Sequence, residues 1–331
     1  MIIRYQKFNF TIEATEPIGL PYYKGSTFRG GFGNAFKRVV CALKRNDCSE
    51  CLLKTRCVYA YIFETPPLTP TLFKGDEVGE SPKDTGFMGM NKYETVPHPF
   101  IIEPPDEGDR VFRPGDKILF SLILVGRSIE YLPYFIYTFE ELGSLGIGKG
   151  RGRYRLLKVD NGVDIVYSFE DKALRIAGVK ELHIPEDFDF DIDSGKSITV
   201  RFITPARIMY QRALTVDLQF HVLIRSLLRR LCLLHYFHCE SREPSWDHKQ
   251  IIQEGEKITI DKSSLQWWDW ERYSSRQGTR MKMGGVVGEV TYKGSVEQFL
   301  PILRAGEIVH VGKGTSFGLG KYGIVRDVSA L

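Results

Sequence analysis

The spacing of hydrophobic residues predicts strands and amphipathic helices in alternation along the first half of the chain. Apolar and polar residues alternate from Ile3 to Ala14, which is typical of a strand with one buried face. From about Ser26 to Leu43, phenylalanines and aliphatic residues recur at helical spacing, while Arg29, Lys37 and Arg38 fall on other faces. This second segment is therefore predicted to be a helix that buries one side.

The rest of the first half continues the alternation after one long interruption. Residues from about 65 to 105 are rich in proline, glycine and polar types, which predicts a loop or insertion rather than core. An apolar run from Ile118 to Gly126 predicts a strand, Tyr131 to Leu142 predicts a helix, and a last strand is expected to end near Tyr167. The predicted order is β, α, β, β, α, β.

The second half repeats this order. A strand is predicted from Ser197 to Ile203, and a long helix from about Val216 to His238, because leucines and other apolar residues form a continuous stripe. A Trp-rich strand candidate around Leu265 to Tyr273 precedes a strand from Gly285 to Tyr292 and a helix from Gln298 to Arg304. The pattern predicts an α+β chain of two tandem ferredoxin-like, RRM-like βαββαβ domains.

An internal repeat supports two related domains. In each half a strand and a helix lead into a glycine-rich loop, which we call loop 1 (residues 146–155) and loop 2 (residues 310–322). Leu132-Pro133 and Leu300-Pro301 fall at the same place in the two helices, where proline is tolerated. We expect an N-terminal domain at residues 1–168, with an insertion at about 41–105, and a C-terminal domain at residues 169–331.

Composition and charge limit the classes of function. The 331 residues are 43% hydrophobic and 26% charged, which is ordinary for a globular protein. Since no apolar run reaches the length of a membrane-spanning helix and the N-terminus lacks a signal-peptide layout, we expect a cytoplasmic chain without a membrane partner. The net charge of +4 is only mildly basic, so a nucleic-acid surface requires local clustering of cations.

The two glycine-rich loops are such clusters. Glycines between cations and an aromatic residue allow backbone N–H groups, charged side chains and a ring to approach a phosphodiester backbone. The alternation of Arg151, Arg153 and Arg155 predicts a basic stripe on one face of a strand. The cations predicted to bind RNA are Lys149, Arg151 and Arg153 in loop 1, and Lys313 and Lys321 in loop 2.

Four cysteines follow the first predicted helix: Cys41, Cys48, Cys51 and Cys57. Thiolates at this spacing, with a C-x2-C centre, can close a tetrahedral zinc site that stabilises a polar loop. An iron–sulfur cluster and incidental reduced cysteines are the alternatives, whereas disulfides fit a cytosolic chain poorly. We predict a structural zinc ion.

Several segments together resemble a known protein family. In the same order, and over nearly the whole chain, they resemble the CRISPR precursor-RNA-processing endoribonucleases of the repeat-associated mysterious protein (RAMP) superfamily. The segments are Tyr23 to Gly33, the four cysteines, His98 to Pro105, Trp268 to Gln277, Met283 to Gly288 and His310 to Tyr322.

The resemblance implies a function on RNA. It implies two ferredoxin-like domains that bind CRISPR repeat RNA and cut precursor CRISPR RNA once within each repeat. The implied chemistry needs no metal or other cofactor: the ribose 2′-OH attacks the adjacent phosphate and leaves a 2′,3′-cyclic phosphate and a free 5′-OH. A general base, a general acid and a cation on the phosphorane serve that reaction. Repeat RNA and the subunits of a CRISPR effector complex are the expected partners.

The catalytic candidates lie near these segments. Many family members carry a catalytic histidine on or near the first helix, but residues 26–45 contain none. We predict His310, which enters loop 2, as the first catalytic choice and His98 as the second, and Lys313 as the catalytic cation near the phosphorane. Tyr23 is a proton donor or acceptor if no histidine acts. The other cations predicted to contact RNA phosphates are Lys24, Arg29, Arg276 and Lys282.

Two other functions compete with cleavage. The same fold and loops suit a non-catalytic RNA-binding subunit of a CRISPR interference complex, which the lack of a first-helix histidine favours. A zinc-stabilised protein-interaction module is the third interpretation, and the two Gly/Lys/Arg loops argue against it.

Overall fold

The computed structural model describes residues 1–44, 48, 50–65, 96–105, 108, 110–175, 178–190, 196–240, 242, 244–274 and 279–325. The chain divides into two compact units. The N-terminal unit is Ile3–Glu181 with Leu233–Glu243, and the C-terminal unit is Met1–Ile2, Leu182–Cys232 and Pro244–Leu331. The division falls after residue 181, whereas the sequence pattern places it after residue 168, and that boundary stays a prediction.

The N-terminal unit is an antiparallel sheet covered by two helices. Its helices are α1 (Gly25–Val40) and α2 (Leu132–Leu145), and a π-helical turn spans Ala60–Glu64. The strands are β1 (Ile2–Ala14), β2 (Ile18–Gly19), β3 (Phe100–Glu103), β4 (Val111–Phe112), β5 (Lys117–Val125), β6 (Tyr154–Asp160), β7 (Ile165–Ser168) and β8 (Lys180–His183). The sheet order is β3-β5-β1-β6-β7, and β8 also pairs with β1.

Aromatic side chains fill the space between this sheet and its helices. Phe10 of β1 stacks on Phe120 of β5 with ring centroids 5.0 Å apart, and Phe28 of α1 contacts Phe120 at the same distance. Phe32 of α1 stacks on Phe135 of α2 at 5.0 Å. The helical spacing of the phenylalanines therefore places α1 directly on the sheet, as its amphipathic pattern predicts.

The C-terminal unit repeats the arrangement. Its helices are α3 (Phe220–His238), whose residues from Leu233 onward group with the N-terminal unit, α4 (His248–Glu256) and α5 (Leu300–Val309). The strands are β9 (Ser197–Ala206), β10 (Met209–Tyr210), β11 (Ala213–Leu214), β12 (Thr259–Ser263), β13 (Gln266–Trp268), β14 (Glu271–Ser274), β15 (Thr279–Lys282), β16 (Gly285–Lys293) and β17 (Tyr322–Val325). The sheet order is β12-β16-β9-β17, while β14 and β15 form a separate two-stranded hairpin.

Both sheets have the strand order of a ferredoxin-like domain. In the N-terminal unit the second, third, first and fourth strands of the βαββαβ pattern are β3, β5, β1 and β6; in the C-terminal unit they are β12, β16, β9 and β17. The pairings along both orders are antiparallel. The predicted fold of two tandem ferredoxin-like domains is confirmed.

Three local predictions were wrong. Phe100–Glu103 is a buried strand of the sheet, although its neighbourhood reads as loop, because the strand is short and lies between prolines. The Trp-rich segment forms two short strands, Gln266–Trp268 and Glu271–Ser274, rather than one. β6 begins at Tyr154, so Arg151 and Arg153 precede it and do not form a stripe along a strand.

Among the described helices, none is long and apolar enough to cross a membrane.

Candidate functional site

A cleft in the N-terminal unit lies between α1, the end of α2 and loop 1. Its volume is about 680 Å³. Arg38, Lys44 and Arg151 line it with exposed side chains, and Lys37 lines it half-buried. Among the described residues that line this cleft, none is acidic. The cleft, called the α1 cleft below, is therefore suited to a polyanion.

The sequence of α1 creates this space. Gly31 faces α2, and a Cβ there would lie 3.1 Å from Leu142 Cδ1, so a larger residue would press the two helices apart. Gly30 faces open space, since a Cβ there would meet no atom within 4 Å. Lys37 and Arg38 lie in the last turn of α1, where the negative end of the helix dipole favours cations.

The main chain of loop 1 packs against the segment around β2. Gly148 has a positive φ of 76°, and a Cβ there would lie 2.2 Å from the carbonyl oxygen of Gly19. The Lys149 N–H donates to that carbonyl at 2.8 Å, and the Arg151 N–H donates to the Gly148 carbonyl at 3.3 Å. These amides are already hydrogen-bonded within the protein. Loop 1 therefore offers an anion its exposed Lys149 and Arg151 side chains rather than these N–H groups.

His98 and Arg29 meet at the N-terminal half of α1. The Arg29 Nη2 lies 3.0 Å from His98 Nε2, and the Thr65 hydroxyl lies 3.2 Å from His98 Nδ1. The guanidinium also lies over the ring of Phe63, 4.0 Å from its centroid. The His98 ring stacks on Phe63 at 6.0 Å and on Phe100 at 5.6 Å. The structure thus brings together two predicted site residues that are far apart in the sequence.

The hydrogen bonds of this group determine the tautomer of His98. The Thr65 hydroxyl donates its single hydrogen to the Val96 carbonyl at 3.0 Å, so it accepts from His98 Nδ1–H. His98 Nε2 then carries the lone pair and accepts from Arg29. In this tautomer the basic nitrogen of the imidazole faces a guanidinium.

A second histidine supports the segment that carries His98. His238 donates from Nε2–H to the Pro97 carbonyl at 2.9 Å, which leaves Nδ1 to accept from the Tyr61 hydroxyl at 3.2 Å. Burial raises the pKa of Tyr61 well above its usual value, so this hydroxyl keeps its proton and can donate. Both contacts lie within the N-terminal unit and fix the backbone next to His98.

His310 occupies a buried position at the end of α5 in the C-terminal unit. It exposes 0% of its surface, and its Nδ1 lies 3.1 Å from the Leu319 carbonyl. Its φ of 60° and ψ of 175° belong to a region that favours glycine. Arg230 donates from Nε to the preceding Val309 carbonyl at 2.7 Å, and burial lowers the pKa of this guanidinium to about 9. These contacts are those of a structural residue, and the catalytic role of His310 stays a prediction.

Loop 2 is largely buried and internally hydrogen-bonded. The Lys313 N–H donates to the Arg207 carbonyl at 2.9 Å, and the Lys321 N–H donates to the Thr204 hydroxyl at 2.9 Å. The Lys313 side chain is exposed and that of Lys321 is half-buried. As in loop 1, these amides are hydrogen-bonded within the protein, so contacts with a ligand would come from the lysine side chains.

Arg207 joins loop 2 to the base of the β14–β15 hairpin. Its Nη1 donates to the Gly284 carbonyl at 2.7 Å and to the Lys282 carbonyl at 3.3 Å. Burial lowers the pKa of the Arg207 guanidinium, and the nearby Asp269 acts in the opposite direction. Lys282 is exposed at the end of the hairpin. The exposed side chains of Lys282 and Lys313 thus extend from two segments held by one residue.

Comparisons with known proteins give one family match in each half of the chain. A family model described as an N-terminal domain matches residues 3–178, and the model of the CRISPR-associated endoribonuclease Cas6 matches residues 200–322. The C-terminal half thus carries a domain of the CRISPR-associated Cas6 endoribonuclease family. The resemblance found in the sequence is confirmed.

The similar proteins cover nearly the whole chain. An uncharacterized protein of Archaeoglobus fulgidus is 23% identical over 318 residues, which are 92% of this chain and 92% of the relative. A Thermus thermophilus Cas6, solved as a product complex, gives a TM-score of 0.51 at 15% identity, with 97% of this chain and 100% of that chain covered. A chain of a partial Cas6-RT-Cas1–Cas2 complex gives 0.54 at 12% identity and covers 98% of this chain and 46% of its own. At these identities the structures support the shared fold.

The other predicted site residues take varied positions. Tyr23 and Lys24, which is 1% exposed, are buried at the start of α1, so their roles at an RNA surface stay predictions. Arg153 is exposed and lies 3.9 Å from Glu16, with which it forms an ion pair. Arg276 lies outside the described residues.

The metal site predicted at the four cysteines stays a prediction that the structure does not support. All four lie in the described part of the chain as free, half-buried thiols. Among the described residues, no three His, Cys, Asp or Glu side chains are grouped closely enough to hold a metal ion. Cys48 instead hydrogen-bonds Lys37, and burial raises the pKa of its thiol. The structure therefore does not support a zinc ion here, because a C-x2-C spacing fixes only the sequence and not the meeting of thiols.

Sequence reasoning missed several cations of the α1 cleft. Lys37 and Arg38 appear in the sequence only as polar positions of an amphipathic helix, and Lys44 follows it. One sequence feature could have indicated the cleft: α1 carries small and polar residues away from its phenylalanines and has two cations in its last turn. No local pattern indicates Arg207, whose partners lie 75 and 77 residues away.

Proposed function

We propose that this protein binds CRISPR repeat RNA along the α1 cleft and cuts precursor CRISPR RNA once within each repeat. The observation that carries the proposal is the α1 cleft itself: cations from α1 and loop 1 converge on it in a chain of an endoribonuclease family. Phosphate contacts dominate the affinity of proteins for RNA, and arginine suits them because its planar fork donates two parallel hydrogen bonds.

The proposed binding uses side chains presented by rigid loops. Lys149 and Arg151 in loop 1 and Lys313 in loop 2 are exposed, while the N–H groups of these residues are hydrogen-bonded to protein carbonyls. An ordered main chain lowers the entropy that the protein loses when the cations engage phosphates. The glycines therefore support binding indirectly, through the geometry of the loops.

The proposed chemistry is metal-independent transesterification. The 2′-OH loses its proton and attacks the adjacent phosphorus, the bond from phosphorus to the 5′ oxygen breaks, and that oxygen takes up a proton. Of the histidine candidates, geometry favours His98, because it is half-buried rather than fully enclosed and its Nε2 carries a lone pair. Arg29, which donates to that nitrogen, is placed to accompany it as the cation on the phosphorane.

A non-catalytic RNA-binding subunit of a CRISPR effector complex is the second candidate. Among the described residues lining the α1 cleft there is no histidine. His98 is separated from the cleft residue Tyr59 by the ring of Phe63, which stacks on both. This arrangement favours binding without cleavage unless RNA also reaches His98.

One experiment separates the two candidates. The purified protein is incubated in EDTA with labelled CRISPR repeat RNA and with the same RNA carrying 2′-deoxyribose at each position in turn. The proposal expects one cut in the all-ribose RNA, blocked by a single 2′-deoxy position. His98→Ala should slow that cut by about 10²-fold or more while leaving the affinity for RNA near that of the wild type.

The other outcomes have distinct meanings. RNA that is bound but not cut identifies the non-catalytic subunit. A cut that persists in every 2′-deoxy RNA would exclude attack by the 2′-OH. A protein that neither binds nor cuts repeat RNA contradicts both candidates.

A further inference from the structure

Arg207 stands out because its side chain and its main chain bind two different segments of the C-terminal unit. Its guanidinium donates to the carbonyls of Lys282 and Gly284, where the β14–β15 hairpin returns to the sheet. Its own carbonyl accepts from the N–H of Lys313, and it forms a β-bridge with Gly312. One residue therefore connects the hairpin base with loop 2.

The contact with loop 2 leaves little freedom of position. Gly312 has a φ of 83°, and a Cβ there would lie 2.6 Å from the Arg207 carbonyl oxygen. Only glycine allows the two main chains to approach this closely. A shift of Arg207 is therefore transmitted to the backbone of Lys313.

The contact with the hairpin depends on the side chain. Among the described residues, β14 and β15 pair with each other, from Glu271 with Lys282 to Ser274 with Thr279. The Arg207 side chain meets this hairpin at its base, where β15 ends and the chain enters β16. Both hydrogen bonds come from Nη1, whose two hydrogens lie in the fixed plane of the guanidinium, and the half-buried position strengthens each of them.

We propose that Arg207 is a positioning residue that holds Lys282 and Lys313 as one phosphate-binding surface for RNA. The proposal rests on the proposed binding of CRISPR repeat RNA and adds the residue that aligns its contacts in the C-terminal unit. In this role Arg207 acts through the two lysines: Nη1 binds the hairpin base, and the Arg207 carbonyl binds the N–H of Lys313.

A double-mutant cycle tests this role. The affinity for labelled CRISPR repeat RNA is measured for the wild type, Lys282→Ala, Arg207→Met and the double variant. Lys282→Ala should weaken binding severalfold in the wild-type background and have little further effect beside Arg207→Met, a coupling of about threefold or more. Arg207→Lys should restore part of the Lys282 contribution, because an ammonium still donates to the carbonyls.

The control residue lies on β9, the strand that ends immediately before Arg207. Arg201 is an exposed arginine of β9 that pairs with Glu289, and Lys282→Ala should keep its full effect beside Arg201→Met. Thermal unfolding shows that each variant is folded. If Arg207→Met does not fold, the cycle uses Arg207→Gln, whose amide keeps a donor for one carbonyl.

The outcomes separate the two proposals. If the effects of Arg207→Met and Lys282→Ala on RNA affinity are additive, the positioning role is overturned and the proposed RNA function stays intact. The same conclusion follows if the wild type binds the RNA and Lys282→Ala leaves its affinity unchanged. A wild-type protein that does not bind the repeat contradicts the proposed function and the positioning role together.

Discussion

His98 and His310 show how strongly the role of a histidine depends on what surrounds its ring. Sequence context ranks His310 first, because it enters a loop of glycines and lysines. In the structure His310 is enclosed and bonded to a main-chain carbonyl, whereas His98 is half-buried beside Arg29. Residue type and loop composition are readable from the sequence, but burial depends on the packing of distant segments.

The backbone of His310 provides a prediction that separates a structural from a catalytic role. Since φ 60° and ψ 175° suit glycine, His310→Gly should relieve strain while losing the imidazole, whereas His310→Ala should lose the imidazole and keep the strain. We expect His310→Gly to be more stable than His310→Ala by about 1 kcal/mol in denaturant unfolding.

Cleavage assays on the same variants complete the test. A structural His310 predicts that the folded His310→Gly variant cuts repeat RNA at close to the wild-type rate. A loss of about 10²-fold in that folded variant would instead support His310 as the general acid or base.

At the scale of elements, α1 supplies a matched pair of glycines. A Cβ at Gly33 would lie 2.4 Å from Phe63 Cζ, whereas a Cβ at Gly30 would meet no atom within 4 Å. Glycine in a helix interior costs about 1 kcal/mol relative to alanine. The fold therefore has a packing reason for Gly33 and none for Gly30.

We predict opposite effects of alanine at these two positions. Gly30→Ala should raise the free energy of unfolding by about 1 kcal/mol, and Gly33→Ala should lower it, because Phe63 must move away from His98 and Arg29. If RNA passes along this side of α1, Gly30→Ala should also weaken repeat binding despite the gain in stability. Unchanged affinity in the stabilised variant would place the RNA away from Gly30.

The glycine-rich loops were predictable as elements but not in their function. Their repetition after a strand and a helix indicates correctly where two similar domains carry loops. The sequence suggests that glycine exposes N–H groups to phosphate, yet the Lys149 and Lys313 amides donate to the carbonyls of Gly19 and Arg207. Those acceptors come from other parts of the chain, so a local pattern does not reveal them.

At the scale of the whole molecule, the repeat explains why the fold could be predicted well. The sequence predicts the βαββαβ order twice, so the prediction for each half supports the prediction for the other. The structure shows the same strand order in both sheets. The candidate site was less predictable because the α1 cleft combines side chains of α1, its following turn and loop 1. Arg151 was found from its loop, while Arg38 and Lys44 require the three-dimensional arrangement.

The most direct test of the account is the salt dependence of repeat-RNA affinity after the α1 cleft loses charge. The test variant replaces Arg38, Lys44 and Arg151 by Gln. The control variant replaces Lys117, Lys158 and Arg175 by Gln, which are exposed cations of the same unit that do not line the cleft. Lys158 and Arg175 pair with nearby carboxylates, and Lys117 lies opposite Glu13 on the neighbouring strand. Both variants remove three positive charges and keep the side-chain lengths nearly unchanged.

The account predicts that the test variant binds repeat RNA more weakly and that its slope of log affinity against log salt flattens by about two to three units. The control variant should keep a slope close to that of the wild type. Equal slopes for the wild type and the test variant, or equal losses in the test and control variants, would contradict the claim that the α1 cleft binds the RNA backbone.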